Sequence, residues 1–243
     1  MKSYASFCPV AKTAEIFAER WTPLLLREMC MGVRRFSELQ QGLPQISRAL
    51  LAQRLREMEE AGIIEKTPSR EYRLTAAGEA FRPIIDMMAA WGQAHGRGRI
   101  ALQDTDPAQL MWGLRRHLNM RSLPEQRLVV QFEFSGVPKA FRHARYWWMV
   151  LRQTEIDVCQ KNPGYDVDVT IAADLQALTE VWLGHRGLAA AQVAGEIMMS
   201  GSRQHLAIVR EALGLRDQPW QKKFDFSERS DPFGPPLPSD IMR

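Results

Sequence analysis

Between Pro44 and Lys66 the sequence reads PQISRALLAQRLREMEEAGIIEK, and its residue types at helical spacing could recognise a polyanion. Wound at about 100° per residue from Ser47 as N-cap, Leu51, Leu55 and Met58 fall within about 60° of arc and form a stripe to be buried. The opposite arc carries Ala49, Ala52, Gln53 and Arg56, with Arg48 and Glu59 at its flank. Small alanines remove bulk, while Gln and Arg are long enough to hydrogen-bond base edges or phosphates in a major groove. From Leu39 to Arg56 there is no acidic residue but there are three arginines; Glu57, Glu59 and Glu60 come only afterwards. The open amides and dipole at a helix N-terminus also favour phosphate. An ordinary amphipathic helix with a solvated charged face fits the same pattern, so its neighbours must decide.

Those neighbours are helical on one side and strand-like on the other. CPVAKTAEIFAERW places Val10, Ala14, Phe17 and Trp21 at helical spacing. TPLLLREMCMG follows, with Thr22 as cap, Pro23 at the first helical position and Gly32 as the stop. RRFSELQQGLP supplies a short helix with Phe36, Leu39 and Leu43 on one side. After the quoted segment, GIIEKTPSREYRLT predicts two short strands, about 63–66 and 71–74, joined by a Pro/Ser/Arg turn. Thr75 then caps a helix with Phe81, Ile84, Ile85, Met88 and Trp91 as its stripe, and Pro83 inside that pattern predicts a kink or a late start. Helix, helix, short helix, longer helix, basic hairpin, helix is the order of a winged helix-turn-helix. Phosphate contacts are expected from Arg34, Arg35, Lys66, Arg70 and Arg73, and groove contacts from Arg48, Gln53 and Arg56, with Ser47, Ala49 and Ala52 on the same surface.

The chain has 243 residues, enough for two domains. Its net charge of +4 lies wholly in residues 1–100, where 15 Lys/Arg face 11 Asp/Glu; the remainder holds 17 of each. A basic module beside a neutral one suits a polyanion partner for the first. No stretch approaches the roughly 20 apolar residues of a membrane span, and MKSYASFCPVAK has no signal-peptide core, so a cytoplasmic location without membrane contact is expected. Cys8, Cys30 and Cys159 are too few and too scattered for a disulfide framework or a zinc site.

Beyond a linker-like GRGRIALQDTDPAQ, the helical LMWGLRRHL gives way to period-2 segments. Leu128, Val130, Phe132 and Phe134 share one face; so do Trp147, Met149 and Leu151, then Ile156 and Val158, then Val167, Val169 and Ile171. DLQALTEVWLG and SRQHLAIVREALG predict helices around the strand GEIMMSG, and the residues from Asp217 contain five prolines and predict an irregular tail.

The blocks CPV, ERWTPLLLREM, RRFSELQQGLPQISRALLAQRLREMEEAGIIEK and EYRLTAAGEAFRPIIDMMAAWGQAH, in that order over residues 8–95, resemble the HxlR-type winged-helix transcriptional regulators. That resemblance implies binding of a double-stranded operator as a homodimer, through the first helix and the helix around Ala76–His95. It also implies a recognition helix at 47–61, a wing turn at 67–70 shorter than in many members, and a redox-sensing role for Cys8, against which an idle cysteine stays open. YDVDVTIAADLQALTEVWLGHRGLAAAQVAGEIMMSGSRQHLAIVREAL resembles the sterol carrier protein type 2 domain. This implies a five-stranded sheet against helices and an apolar tunnel for a lipid or other hydrophobic molecule. Phe132, Phe134, Trp147, Met149, Ile156, Val169, Leu178, Trp182, Ile197 and Met199 are the candidate lining, with plain core packing as the alternative for each.

The expected fold is therefore α+β. A winged helix-turn-helix domain over 1–98 is followed by a linker at 99–106. An α/β sandwich-like domain with a five-stranded sheet and flanking helices occupies 107–216, and a Pro-rich tail 217–243. No catalytic constellation, cofactor or metal is expected, since the five histidines are scattered and no phosphate loop or nucleophile elbow occurs. Asp166 and Asp168 alternate on a strand and are expected to be solvated charges. The expected function is a ligand-modulated, DNA-binding regulator. A lipid-binding or transfer protein that uses its first domain only to dimerise is the competing expectation, and a DNA binder with a ligandless second domain the third.

Overall fold

The computed structural model describes residues 3–95 and 105–215; the expected tail and nearly all of the linker lie outside them. The first domain consists of α1 Pro9–Phe17, α2 Thr22–Cys30, α3 Phe36–Gly42, α4 Arg48–Glu60, the antiparallel hairpin β1 Ile64–Lys66 with β2 Tyr72–Leu74, α5 Ala76–Glu79 and α6 Arg82–His95. Helix α4 starts where the Ser47 side chain accepts from the Leu50 amide at 3.3 Å. It stops before Gly62, whose φ of +69° is a conformation glycine adopts at least cost. Leu51, Leu55 and Met58 are buried, in one core with Leu25, Leu26, Leu39, Ile46 and Ile63.

Three expectations about the first domain change. The first helix ends at Phe17 rather than running to Trp21. Trp21, in a left-handed turn (φ +80°), rather than Thr22 is the N-cap of α2, so Thr22 is its first residue and Pro23 its second. Val10, expected on the buried stripe, is 75% exposed; Ile16, Phe17 and Trp21 pack on the core instead. Pro83 does cause a late start, with α5 and α6 separated at residues 80–81. There Phe81 stacks on Phe17 at 5.2 Å, tying α6 to α1.

The second domain opens with α7 Pro107–His117, capped by Asp106. Its strands are β3 Leu128–Ser135, β4 Tyr146–Leu151, β5 Ile156–Cys159, β6 Val169–Asp174 and β7 Ile197–Gly201, and its later helices α8 Leu175–Trp182, α9 Leu188–Val193 and α10 Arg203–Ala212. The sheet order is β5-β4-β3-β6-β7, antiparallel except for the central β3–β6 pair. Phe132 lies between Trp147 and Ile171 in register, and the apolar face fills one core with α7, α8 and α10. Val167 precedes β6 and is exposed, so the expected strand is shorter at its start. Trp148 and Val150, on the other face of β4, are buried too, which alternation did not foretell.

One buried carboxylate joins the domains. Glu28 of α2 is fully buried, and Arg27 donates to its Oε1 through Nη2 at 2.6 Å and Nε at 3.1 Å. Arg116 of α7 donates through Nη1 to Oε2 at 2.7 Å. Gly42, at the end of α3, lies so close that a Cβ there would collide with the Glu28 carboxylate. Gln45, in the turn before α4, donates to Asp106 Oδ2 at 2.8 Å.

Removing one member of a buried ion cluster leaves an uncompensated charge, at a cost of about 3–5 kcal/mol. Arg116→Met should lower stability by about that amount, measured by urea denaturation. Glu28→Met combined with Arg116→Met should recover most of the loss, because Arg27, partly exposed, can turn to water.

Candidate nucleic-acid interface

The outward face of α4 presents Arg48, Ala49, Gln53 and Arg56, all exposed, with Ala52 half-buried between them. Its third arginine, Arg54, points elsewhere. It pairs with Glu19 at 3.0 Å and with Glu57, and donates to the Arg20 carbonyl at 3.1 Å, clamping α4 to the end of α1. Arg48 lies over the Phe36 ring, its carbon 5.7 Å from the centroid, so the start of the helix and α3 share a cationic edge. Gln53 donates to Glu57 Oε1 at 2.9 Å, a contact it must exchange to reach a base. Ser47 is exposed, but its hydroxyl already caps the helix.

The wing is held to the helices by backbone. The Tyr72 amide donates to the Arg34 carbonyl at 2.8 Å, so the segment before α3 adds to the hairpin edge. At the tip the Arg70 amide donates to the Thr67 carbonyl at 2.9 Å, closing a tight turn with Arg70 in the left-handed region at φ +63°. Arg70 and Arg34 are exposed, and Lys66 sits over the Tyr72 ring at 5.5 Å. Arg35 pairs with Glu71 at 3.0 Å and Arg73 with Glu65 at 2.6 Å. Both pairs lie at the surface and are weak, with Glu71 half-buried, yet each offsets a cation expected to serve phosphate.

The ten expected lining residues of the second domain are placed differently from a tunnel wall. Phe132, Phe134, Trp147, Met149, Ile156, Val169, Leu178 and Ile197 are buried members of one packed core, with Met199 and Trp182 packed against it. Of the ten, Trp182 alone borders the cleft of about 500 Å³ found between the domains. The reason is physical: α7 and α8 close on the sheet, and side chains rather than space fill the gap. Asp168 is likewise not a plain solvated charge, since its Oδ2 accepts from the Val129 amide at 2.8 Å and joins the starts of β3 and β6. Spacing gave no signal for Glu28, Arg116, Gln45 or Asp106, whose pairing runs between domains.

Cys8 is exposed at the N-cap of α1, and the Ala11 and Val10 amides lower its thiol pKa. Burial raises the thiols of Cys30 and Cys159. Among the described residues no group of three or more His, Cys, Asp or Glu could hold a metal, and no helix is long and apolar enough to cross a membrane.

The HxlR-like helix-turn-helix family matches residues 16–99. Two HTH-type transcriptional regulators of Bacillus subtilis (strain 168), YvaP and YtcD, are each 35% identical, over 94 and 92 residues. These matches span 36% and 35% of this chain and 87% and 73% of the relatives. Among solved structures, the reduced form of the B. subtilis transcriptional regulator YodB is 31% identical, with 37% of this chain and 95% of that one covered, at a TM-score of 0.33.

The three thiols give a test by themselves. A lowered pKa leaves more thiolate at a given pH, a raised one less, and thiolate is the reactive form. Alkylation by iodoacetamide followed by peptide mass spectrometry at neutral pH should therefore mark Cys8 first. The fast phase should vanish in Cys8→Ser, and the pH profile of Cys8 should lie below those of Cys30 and Cys159.

Proposed function

This chain belongs to the HxlR-like helix-turn-helix family, and from that premise we propose that it is a transcriptional regulator that binds a double-stranded operator as a homodimer. The observation that carries the reading is the outward face of α4, free of acids from Arg48 to Arg56 and anchored from behind by Leu51, Leu55 and Met58. Its alanines let the helix backbone approach a major groove, where Gln53 and Arg56 reach base edges and Arg48 the flanking phosphate. Arg34, Lys66 and Arg70 extend the phosphate contacts toward the wing. Arg35 and Arg73 join them by exchanging Glu71 and Glu65 for phosphate oxygens.

The dimer reading is supported by large apolar side chains left exposed in and around two helices. Phe7 and Val10 flank the start of α1, and Met87 and Trp91 lie along α6. Large apolar side chains left in water mark an association surface when they adjoin. The second domain we read as the sensing half of the regulator. Its order, one helix, four strands, two helices, a fifth strand and a last helix, is in keeping with the sterol carrier-like resemblance. Cys8, exposed and with a lowered pKa, suits a redox input at the same end of the first domain.

A gel shift of the reduced protein on the DNA upstream of its own coding sequence, at low salt, is the direct test; absence of binding there overturns the reading. Arg56→Ala should weaken operator binding by about 1–3 kcal/mol and random DNA far less. The wing cation makes a different forecast. Arg70→Gly should weaken all duplexes alike and reduce the slope of log affinity against log salt by about one. Its stability should stay within about 1 kcal/mol, because relief of left-handed strain offsets the greater entropy of glycine in the unfolded chain. Sedimentation of the complex should give two chains per duplex site.

A further inference from the structure

The cleft between the domains has its own chemistry, separate from the DNA-facing surface. Leu24 and Met88 wall it from the first domain, Leu110 and Leu183 from the second, and its volume of about 500 Å³ lies within the range of small-molecule sites. The wall is mixed, with Gln93, Gln109, Thr179 and His185 beside its charged residues. Arg27 and Arg116 border the cleft while Glu28, which they share, lies fully buried and off its lining. Two guanidiniums on one carboxylate leave the cluster with one net positive charge. Asp106, the carboxylate on the cleft wall, is already held by the Ala108 amide and by Gln45, each at 2.8 Å.

Two buried donors on residues of this wall have no acceptor among the described residues: Arg116 Nε and Trp182 Nε1. A buried donor left without an acceptor is costly, and both atoms lie beneath the surface of the wall, so an oxygen atom meets them where these side chains turn toward the cleft. The wall also contains Gly92, inside α6, where glycine is a poorer helix former than alanine. No close approach requires it, since a Cβ there would meet nothing within 4 Å. What the missing side chain preserves is the space of the cleft.

We propose that this interdomain cleft is the effector site, and that it takes an amphipathic monocarboxylate. The apolar body lies between Leu24 and Met88 on one side and Leu110 and Leu183 on the other. The carboxylate lies against the guanidiniums of Arg27 and Arg116, and accepts from Trp182 Nε1 once that ring turns toward the cleft. A molecule held there bridges α2 and α6 to α7 and α8, and α7 is the helix against which α3 packs. Occupancy thus bears on the orientation of the helix-turn-helix, to the extent that the ligand binds one domain arrangement better than another. The effector role rests on the regulator reading; binding in the cleft does not.

The test titrates decanoate, and neutral decanol as control, into the full chain by calorimetry, both kept below their aggregation limits. Saturable decanoate binding at one site per chain, about tenfold or more tighter than decanol, is expected for a charge-assisted contact. Gly92→Leu puts a side chain into the cleft from a position where a Cβ meets nothing within 4 Å, and it should abolish that binding while α6 becomes no less stable. Trp182→Phe keeps the ring and removes the donor, and it should weaken decanoate about tenfold with little effect on decanol. Unsaturable decanoate binding, or equal binding by both variants and the wild type, overturns the site. Operator affinity measured with and without saturating decanoate separates the remaining outcomes. A change of several-fold supports the effector role, and no change overturns it. If the cleft binds decanoate while no duplex binds under any condition, the regulator reading and the effector role fall and the binding site stands.

Discussion

A carboxylate with no access to water is the constraint around which the two domains are arranged. Burying Glu28 is tolerable only because two guanidiniums meet it, one from its own helix and one from the other domain. Arginine suits the task, since its planar fork donates in fixed directions and stays charged when desolvated. Even so, burial lowers the Arg116 pKa, against the opposing pull of Glu28. Neither domain can withdraw without exposing a charge that its partner was neutralising. The lack of room for a Cβ at Gly42 extends the constraint to the end of α3, and the Gln45–Asp106 contact extends it to the turn before α4. The helix-turn-helix is therefore braced from behind by the second domain.

Seen from that brace, the residues of α4 divide by purpose as well as by burial. Leu51, Leu55 and Met58 fix the helix to its core, and Arg54 locks it to α1 through Glu19 and the Arg20 carbonyl. Arg48, Gln53 and Arg56 remain on the outer arc. The wing hangs on the same frame through the Tyr72 amide and the Arg34 carbonyl, so the helix face and the hairpin cations move together. Exposed pairs such as Arg35–Glu71 and Arg73–Glu65 contribute little to stability, and their acids temper the positive field of this surface.

The second domain spends its apolar residues on a packed interior. With Phe132, Phe134 and Met149 fully buried between sheet and helices, the space large enough for a small molecule lies at the boundary with the first domain instead. There two helices from each side converge without interdigitating fully. A boundary site has a consequence that an internal tunnel lacks, because whatever occupies it contacts both domains at once.

The sequence by itself determined the order of helices and strands, the two faces of α4 and the alternation that sorts the sheet. These are local properties: a 3.6- or 2-residue period, a capping Ser47, a Gly62 that ends a helix. Family membership was legible for the same reason, since its blocks are contiguous. Tertiary structure alone decided what Glu28, Arg116 and Gly42 do, because their contacts cross from residue 28 to residue 116 and no period records such a meeting. It alone decided that Arg54 braces α4 against Glu19 and the Arg20 carbonyl, a meeting that helical spacing does not reveal. Strand parity could place Phe132 and Met149 on an inner face, but whether that face meets a cavity or another side chain depends on how closely helices from distant segments approach it.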